Sequence, residues 1–234
     1  MKETLFYIPD MTPALQCAAN QLCKWGFAVT SLPSSDITHV LLPVPSTSMP
    51  IPATLPEDIT VFGGNISNAP YKTVDFLQDE IYLAQNAAIT AYCATEIAMK
   101  QLPITPSECD ALIIGWGRIS KCLAPLLRNL GTSVTIASRK ASERAILEAM
   151  GFSAVDSEQI DAGKYRLIIN TAPALILEER QCRQDAVLID LASKKGIVGD
   201  GVIWARGLPG KHAPESSGIL IAQTVLRYLG KEFL

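Results

Sequence analysis

The stretch CDALIIGWGRIS, Cys109 to Ser120, decides the fold. Its apolar run ALII is short enough for a buried strand and ends on Gly115-Trp-Gly117. The residues after it, RISKCLAPLLRNLG, carry helical apolar spacing and close on Gly131, and TSVTIAS then reads as a second strand. Strand, glycine turn, helix and strand open a dinucleotide-binding βαβ unit. In such a unit the first glycine makes the tight turn, and the second lets a pyrophosphate approach the backbone. The third position needs a small residue for close helix–strand packing. Here that third residue is Ser120. The helix start at Arg118 and Ile119 offers backbone N–H groups and a partial positive charge to phosphate.

The alternation continues downstream. SERAILEAMG reads as a helix stopped by Gly151. FSAV, YRLIINTA and AVLIDLAS read as strands, GVIWA as a last one, and PESSGILIAQTVLRYLG as a closing helix. Upstream, TLFYI, FAVTSL, HVLLPV and ITVFGG read as strands, with a helix from Pro13 to Gly26 between the first two. Five prolines between positions 43 and 56 mark a loop. Phe76 to Gln101 reads as one long helix, followed by the breakers LPITPSEC. Strands alternating with helices predict an α/β chain with mainly parallel sheets. The expected organisation is a smaller N-terminal α/β domain over 1–84, of flavodoxin-like type, and a linking helix and loop over 85–105. A doubly wound Rossmann domain would follow over 106–213, and a closing helix over 214–234.

With 234 residues, 48% apolar and 18% charged, the chain can bury a core and is not of disordered composition. The apolar runs fall short of a membrane span, and MKETLFYIPD lacks the apolar core of a signal peptide. A cytoplasmic protein that engages no membrane is therefore expected. Cys17, Cys23, Cys93, Cys109, Cys122 and Cys182 form no CxxC and no metal spacing with His39 or His212. They read as reduced and mostly buried, with no metal. The net charge of −3 is uneven: residues 1–105 hold four lysines, no arginine and nine acids, so every arginine lies at or beyond Arg118. This suits a second half that handles an anion such as a cofactor phosphate. No dense basic patch with aromatics appears, which argues against nucleic acid.

Three strand ends carry the candidate chemistry. After TSVTIA comes Ser138-Arg139-Lys140, where an NAD site would usually place Asp or Glu for the ribose hydroxyls. Positive charge and donors there suit a 2′-phosphate, so NADP (as NADPH) is expected over NAD. Asn170-Thr171-Ala172-Pro173 and Asp190-Leu191-Ala192-Ser193 end the next two strands. Their polar side chains could bond ribose or nicotinamide, since ligands bind at the carboxyl ends of the strands. No GxSxG, HExxH or Walker A sequence is present. GLPGKHAPESSG, 207 to 218, reads as a turn before the closing helix.

Several of these segments together resemble a known family. Asn86-Ala-Ala-Ile-Thr-Ala91, the Gly-x-Gly-Arg turn, Ile169-Asn-Thr-x-Pro173 and Ile189-Asp-Leu-Ala-Ser-Lys194 occur in one order along the chain. Gly207-Leu-Pro-Gly-Lys211, Ala213-Pro214 and Ser217-Gly218 follow them. The pattern is similar to that of the dipicolinate synthase family, in its A component, over roughly residues 85 to 230. The resemblance implies a divergent and shortened member of that family, a Rossmann-type NADP-dependent dehydrogenase with two α/β domains. It implies oxidation of a partly reduced cyclic dicarboxylate to pyridine-2,6-dicarboxylate, the calcium-chelating acid of bacterial endospores, and so a part in sporulation. It also implies a partner, the flavoprotein-like B component of the same synthase, and a homodimer is expected.

On that resemblance Lys211 is the candidate carboxylate anchor, and His212 a base or second carboxylate contact. Thr90 would act at the ring, with Asn86 and Pro209 among the substrate contacts. Tyr92 stands where the family carries an acid, His212 where it carries an aliphatic residue, and Glu215 where it carries a base. A second reading is therefore a non-catalytic or divergent NADP-binding protein that works with a flavoprotein-like partner or on another small carboxylate. A shikimate-dehydrogenase type would need a catalytic Lys–Asp pair in the first domain, which the sequence does not offer.

Overall fold

A computed structural model describes residues 3–46, 51–52, 54–66 and 70–231. Residues 47–50 and 53 of the proline-rich loop thus lie outside the described residues. The chain divides into two compact units, one of residues 1–86 with Pro209–Leu234 and one of Ala87–Leu208.

The first unit opens with β1 (Leu5–Tyr7), α1 (Pro13–Lys24), β2 (Ala28–Thr30), β3 (His39–Leu41), β4 (Thr60–Gly63) and β5 (Lys72–Asp75). Thr12 caps α1 by accepting the Leu15 N–H at 3.3 Å, and Pro13 fills the first helical position, where a missing N–H costs nothing. The strands form one parallel sheet in the order β2-β1-β3-β4-β5, the flavodoxin-like order. Phe6, Val40, Val61 and Phe62 fill its core. The His39 ring packs against both Phe6 and Phe62, and its Nδ1 meets Thr38 Oγ1 at 2.8 Å. Burial, and then the charge of Lys72, lower its pKa. The strand β5 carries no sequence signal of its own, because only Val74 of KTVD is buried at this sheet edge.

The helix α2 (Glu80–Gln101) begins later than the sequence pattern predicts. Phe76–Gln78 instead form a separate 3-10 turn capped by Asp75. Asp79 then caps α2, its Oδ1 accepting from the N–H groups of Ile81 and Tyr82 at 2.9 Å each.

The second unit contains the rest of α2, then β6 (Asp110–Ile114), α3 (Arg118–Asn129), β7 (Ser133–Ala137), α4 (Ala141–Ala149) and β8 (Ser153–Val155). It continues with β9 (Leu167–Asn170), β10 (Leu177–Glu178), β11 (Val187–Asp190), β12 (Ile197–Val198) and β13 (Val202–Trp204). Six of these strands make a parallel sheet in the order β13-β11-β9-β6-β7-β8. Counted by appearance this is the 3-2-1-4-5-6 order of the doubly wound dinucleotide fold. Leu112, Ile114, Ile168 and Leu188 are buried in one core cluster beneath it. The pair β10–β12 forms a separate two-stranded sheet, too short to show a sequence period.

Two C-terminal expectations change. The 207–218 turn contains a short helix, α5 (Leu208–His212), before α6 (Pro214–Tyr228). Ala213, at φ −137° and ψ 58°, breaks the two apart, and Pro214 starts the second without needing an N–H. Nor does 214–234 stand alone, because Pro209–Leu234 belongs to the first unit. Gly218 explains the packing there. A Cβ on it would lie 2.4 Å from the Ala14 carbonyl oxygen and 2.5 Å from Cys17 Cβ, so α6 meets the backbone of α1. At the far end of α6, Arg227 Nη2 pairs with Asp79 Oδ2 at 2.9 Å.

Two measurements check this packing. Gly218→Ala should destabilise the protein by about 1–3 kcal/mol in urea unfolding, the usual cost of forcing atoms into a packed contact. Gly210→Ala, whose Cβ meets nothing within 4 Å, should not. Burial alone would raise the Asp79 pKa, but the hydrogen bond from the Tyr82 N–H and the nearby Arg227 and Tyr228 side chains bring it below the ordinary value. A depressed native pKa stabilises the fold above the unfolded value of about 4, and the gain is lost as pH falls through the native one. Asp79→Asn should therefore cost about 2 kcal/mol at pH 7. Urea midpoints from pH 7 down to 3 should show that deficit shrinking.

Candidate nucleotide-binding site

In the 3-2-1-4-5-6 order, the strand sequence reverses between β6 and β9, and a crevice opens outside their carboxyl ends. Gly115 makes the turn there. Its φ is +93°, a left-handed conformation that favours glycine, and a Cβ would lie 2.9 Å from Thr171 Oγ1. Thr171 in turn donates its hydroxyl to the Ile114 carbonyl at 2.8 Å and shares a 2.8 Å hydrogen bond with Ser120 Oγ. Ser120, fully buried, thus does more than pack closely in the third glycine's place: it ties the first turn of α3 to the end of β9.

The N-cap of α3 is Gly117, with no side-chain cap, and a Cβ there would meet nothing within 4 Å. The helix start is therefore not crowded at Gly117, with Arg118 exposed and Ile119 partly so. An uncapped helix start behind a glycine turn suits a phosphate.

A cavity of about 1000 Å³ opens beside this turn. Gly115 and Trp116 line it on one side, and Ser138, Arg139 and Lys140 at the end of β7 on another. Ala172 to Ile176 and Ser157-Glu158 complete the wall with Glu143. Its size is that of a cofactor-sized pocket. No acid stands at the end of β7 itself, but Glu143, in the first turn of α4, accepts a short hydrogen bond from the Ser138 hydroxyl. Lys140 Nζ lies 3.4 Å from the same carboxylate. The Ser138 hydrogen bond lowers the Glu143 pKa most, burial opposes it, and Lys140 and Lys121 add to the lowering, so the carboxylate stays ionised. Arg144 braces the loop, donating to the Ser138 and Arg139 carbonyls at 2.8 and 2.9 Å and pairing with Asp156 at 2.9 Å.

The strand ends of β9 and β11 are built differently from the sequence expectation. Asn170 and Asp190 are wholly buried, so their side chains are not offered to a ribose or nicotinamide. Asp190 Oδ1 accepts from Asn170 Nδ2 at 3.0 Å and from the Ala192 N–H at 2.9 Å. Its Oδ2 accepts from the N–H groups of Gly196 and Ile197 at 2.6 and 2.9 Å. Asn170 also bonds both the carbonyl and the N–H of Ala172 at 3.0 Å. Their burial costs little because every oxygen and nitrogen is used, and their work is to shape two loops. A Cβ on Gly196 would lie 2.3 Å from Asn170 Nδ2, so only glycine fits there.

Of the expected cofactor residues, the cavity gathers Gly115, Ser138, Arg139, Lys140, Ala172 and Pro173. Gly117, Arg118, Ile119, Thr171, Leu191, Ala192 and Ser193 stand at the same strand ends but not in its wall. Leu191 and Ala192 are buried, and Ser193 is exposed. Thr90 is buried on the part of α2 that belongs to this unit. Asn86, Pro209, Lys211 and His212 belong to the first unit, where Pro209 is buried and both Lys211 and His212 are exposed on α5. Sequence reasoning missed Trp116, Glu143 and the 174–176 wall. The charge pattern Arg139-Lys140-x-x-Glu143 was the available signal for Glu143.

Among the described residues no helix is long and apolar enough to cross a membrane, and no cluster of His, Cys, Asp and Glu could hold a metal. No protein-family model matches the sequence, and no curated protein matches it either. Solved structures do. The dipicolinate synthase A component from Bacillus halodurans is 19% identical with a TM-score of 0.82, the match covering 99% of each chain. The corresponding component of dipicolinate synthase from Bacillus subtilis is 19% identical with a TM-score of 0.80, over 98% of this chain and 96% of that one. A transhydrogenase from Sinorhizobium meliloti is 15% identical with a TM-score of 0.73, over 97% and 93%. Identity this low over nearly the full length fits the expected divergent member. At these identities the likeness is one of fold: over nearly its whole length, this chain has the α/β fold of the dipicolinate synthase A component.

Proposed function

We propose that the protein is an NADP-dependent dehydrogenase that oxidises a dihydropyridine-type dicarboxylate to pyridine-2,6-dicarboxylate. The observation that carries the cofactor half is the cavity beside the Gly115 turn, where Ser138, Arg139 and Lys140 stand at the end of β7. The uncapped start of α3 suits the pyrophosphate, and the basic strand end suits a 2′-phosphate. The substrate half rests on the fold likeness and on the Gly207-Leu-Pro-Gly-Lys211 motif.

Aromatising a dihydro ring removes a hydride and a proton. The nicotinamide, when bound, supplies the hydride acceptor. Lys211 holds a substrate carboxylate through its charge, and His212 takes the proton or holds the second carboxylate. Asn86, Thr90 and Pro209 complete the substrate contacts. A cytoplasmic place, a role in spore formation, a homodimer and a flavoprotein-like B component as partner belong to the same proposal.

A second reading keeps the cofactor and drops the turnover: an NADP-binding protein that acts with a partner or on another small carboxylate. Tyr92, exposed on α2 where the family carries an acid, favours it. Assaying dihydro-dicarboxylate oxidation with and without a flavoprotein partner separates the two.

Titration with each cofactor tests the first half. NADPH should bind more tightly than NADH, and Arg139→Ala should weaken NADPH by about tenfold while barely moving NADH, as loss of a charged hydrogen bond requires. Equal affinities of the wild type for both would contradict the 2′-phosphate reading. For the second half, Lys211→Ala should lose turnover by about a hundredfold or more while binding NADPH normally. Normal turnover would remove Lys211 from the site.

A further inference from the structure

The basic strand end is not free to meet a phosphate. Two of its three donors are already engaged by one carboxylate inside the same cavity wall. The Ser138 hydroxyl donates to Glu143, and Lys140 Nζ stands 3.4 Å from it. The loop cannot simply swing away, because Arg144 holds the Ser138 and Arg139 carbonyls from behind and is itself paired with Asp156. Ser138 is buried, so its hydroxyl has little choice of direction. Glu143 is the movable member, a long side chain at the start of α4.

A 2′-phosphate brings two negative charges and three acceptor oxygens that need the same donors. It must displace the carboxylate from Ser138 and Lys140 and then tolerate it nearby. From this we infer that Glu143 is a built-in counter-anion of the 2′-phosphate site, and that it sets the ratio of NADPH to NADH affinity. The inference rests on the cofactor reading above. Like charges held together at one partly exposed site disfavour each other by about a pKa unit, a factor of ten. NADH, with only hydroxyls at that position, does not meet this repulsion.

The first turn of a helix also suits an acid through the helix dipole. That structural role lowers melting temperature on removal but leaves the cofactor ratio alone, so the two are separable.

The test is calorimetric titration of the full chain, wild type and Glu143→Gln, with NADPH, NADH, 2′,5′-ADP and 5′-ADP. The ligand-free melting curve of each serves as the folding check. Glu143→Gln should tighten NADPH and 2′,5′-ADP by about 5–10-fold and change NADH and 5′-ADP by less than about twofold. Glu143→Ala, which also removes the hydrogen bond to Ser138, should do the same if glutamine retains it. Unchanged or weaker NADPH binding in both variants overturns the inference, as does equal tightening of NADH. If the wild type binds NADPH and the variants leave the ratio unmoved, only the role of Glu143 falls. If the wild type binds none of the four, the nucleotide reading falls and this inference with it.

Discussion

The carboxyl edge of the six-stranded sheet depends on one buried carboxylate. Asp190 is inaccessible to solvent and takes four N–H donors, three of them backbone. Removing a carboxylate from water costs several kcal/mol unless its oxygens are fully bonded. Meeting that condition folds 191–197 back onto the strand end and locks Asn170, which in turn fixes Ala172. One side chain therefore sets the path of two loops, one of which forms a wall of the cavity.

A second tie fixes the opposite side of the crevice. Ser120, Thr171 and the Ile114 carbonyl form a short polar chain linking α3, β9 and β6 where the strand order reverses. With both sides held, Gly115 packs closely against Thr171 while Gly117 has open space around it, and the loop at the end of β7 is braced by Arg144. The long side chains in the cavity wall are Arg139, Lys140 and Glu143.

Much of this was legible in the sequence. The Cys109–Ser120 stretch announced the fold because a strand, a glycine turn and an apolar helical period fall in immediate succession. Helix stops at Gly131 and Gly151 and the start at Pro13 were readable from local chemistry alone. What escaped depended on tertiary context. The edge strand β5 has one buried residue, and β10 and β12 have two residues each, too few to show a period. Asn170 and Asp190 stood at the right strand ends, yet composition cannot say whether a polar side chain turns toward a ligand or toward its own backbone. Their burial decided that. The place of α6 depended on a close approach at Gly218, which a sequence shows only as one more glycine. Lys211 and His212 were picked out by resemblance, and nothing in their local chemistry distinguishes them from ordinary exposed side chains.

We propose that the cavity beside the Gly115 turn receives the adenosine end of NADPH, and a crystal structure of the protein soaked with NADPH tests this. The pyrophosphate should lie at the start of α3 and the 2′-phosphate within hydrogen-bonding distance of Ser138, Arg139 or Lys140, with Glu143 turned away. Clear density for NADPH bound elsewhere, or an adenosine ribose placed away from the end of β7, would contradict it.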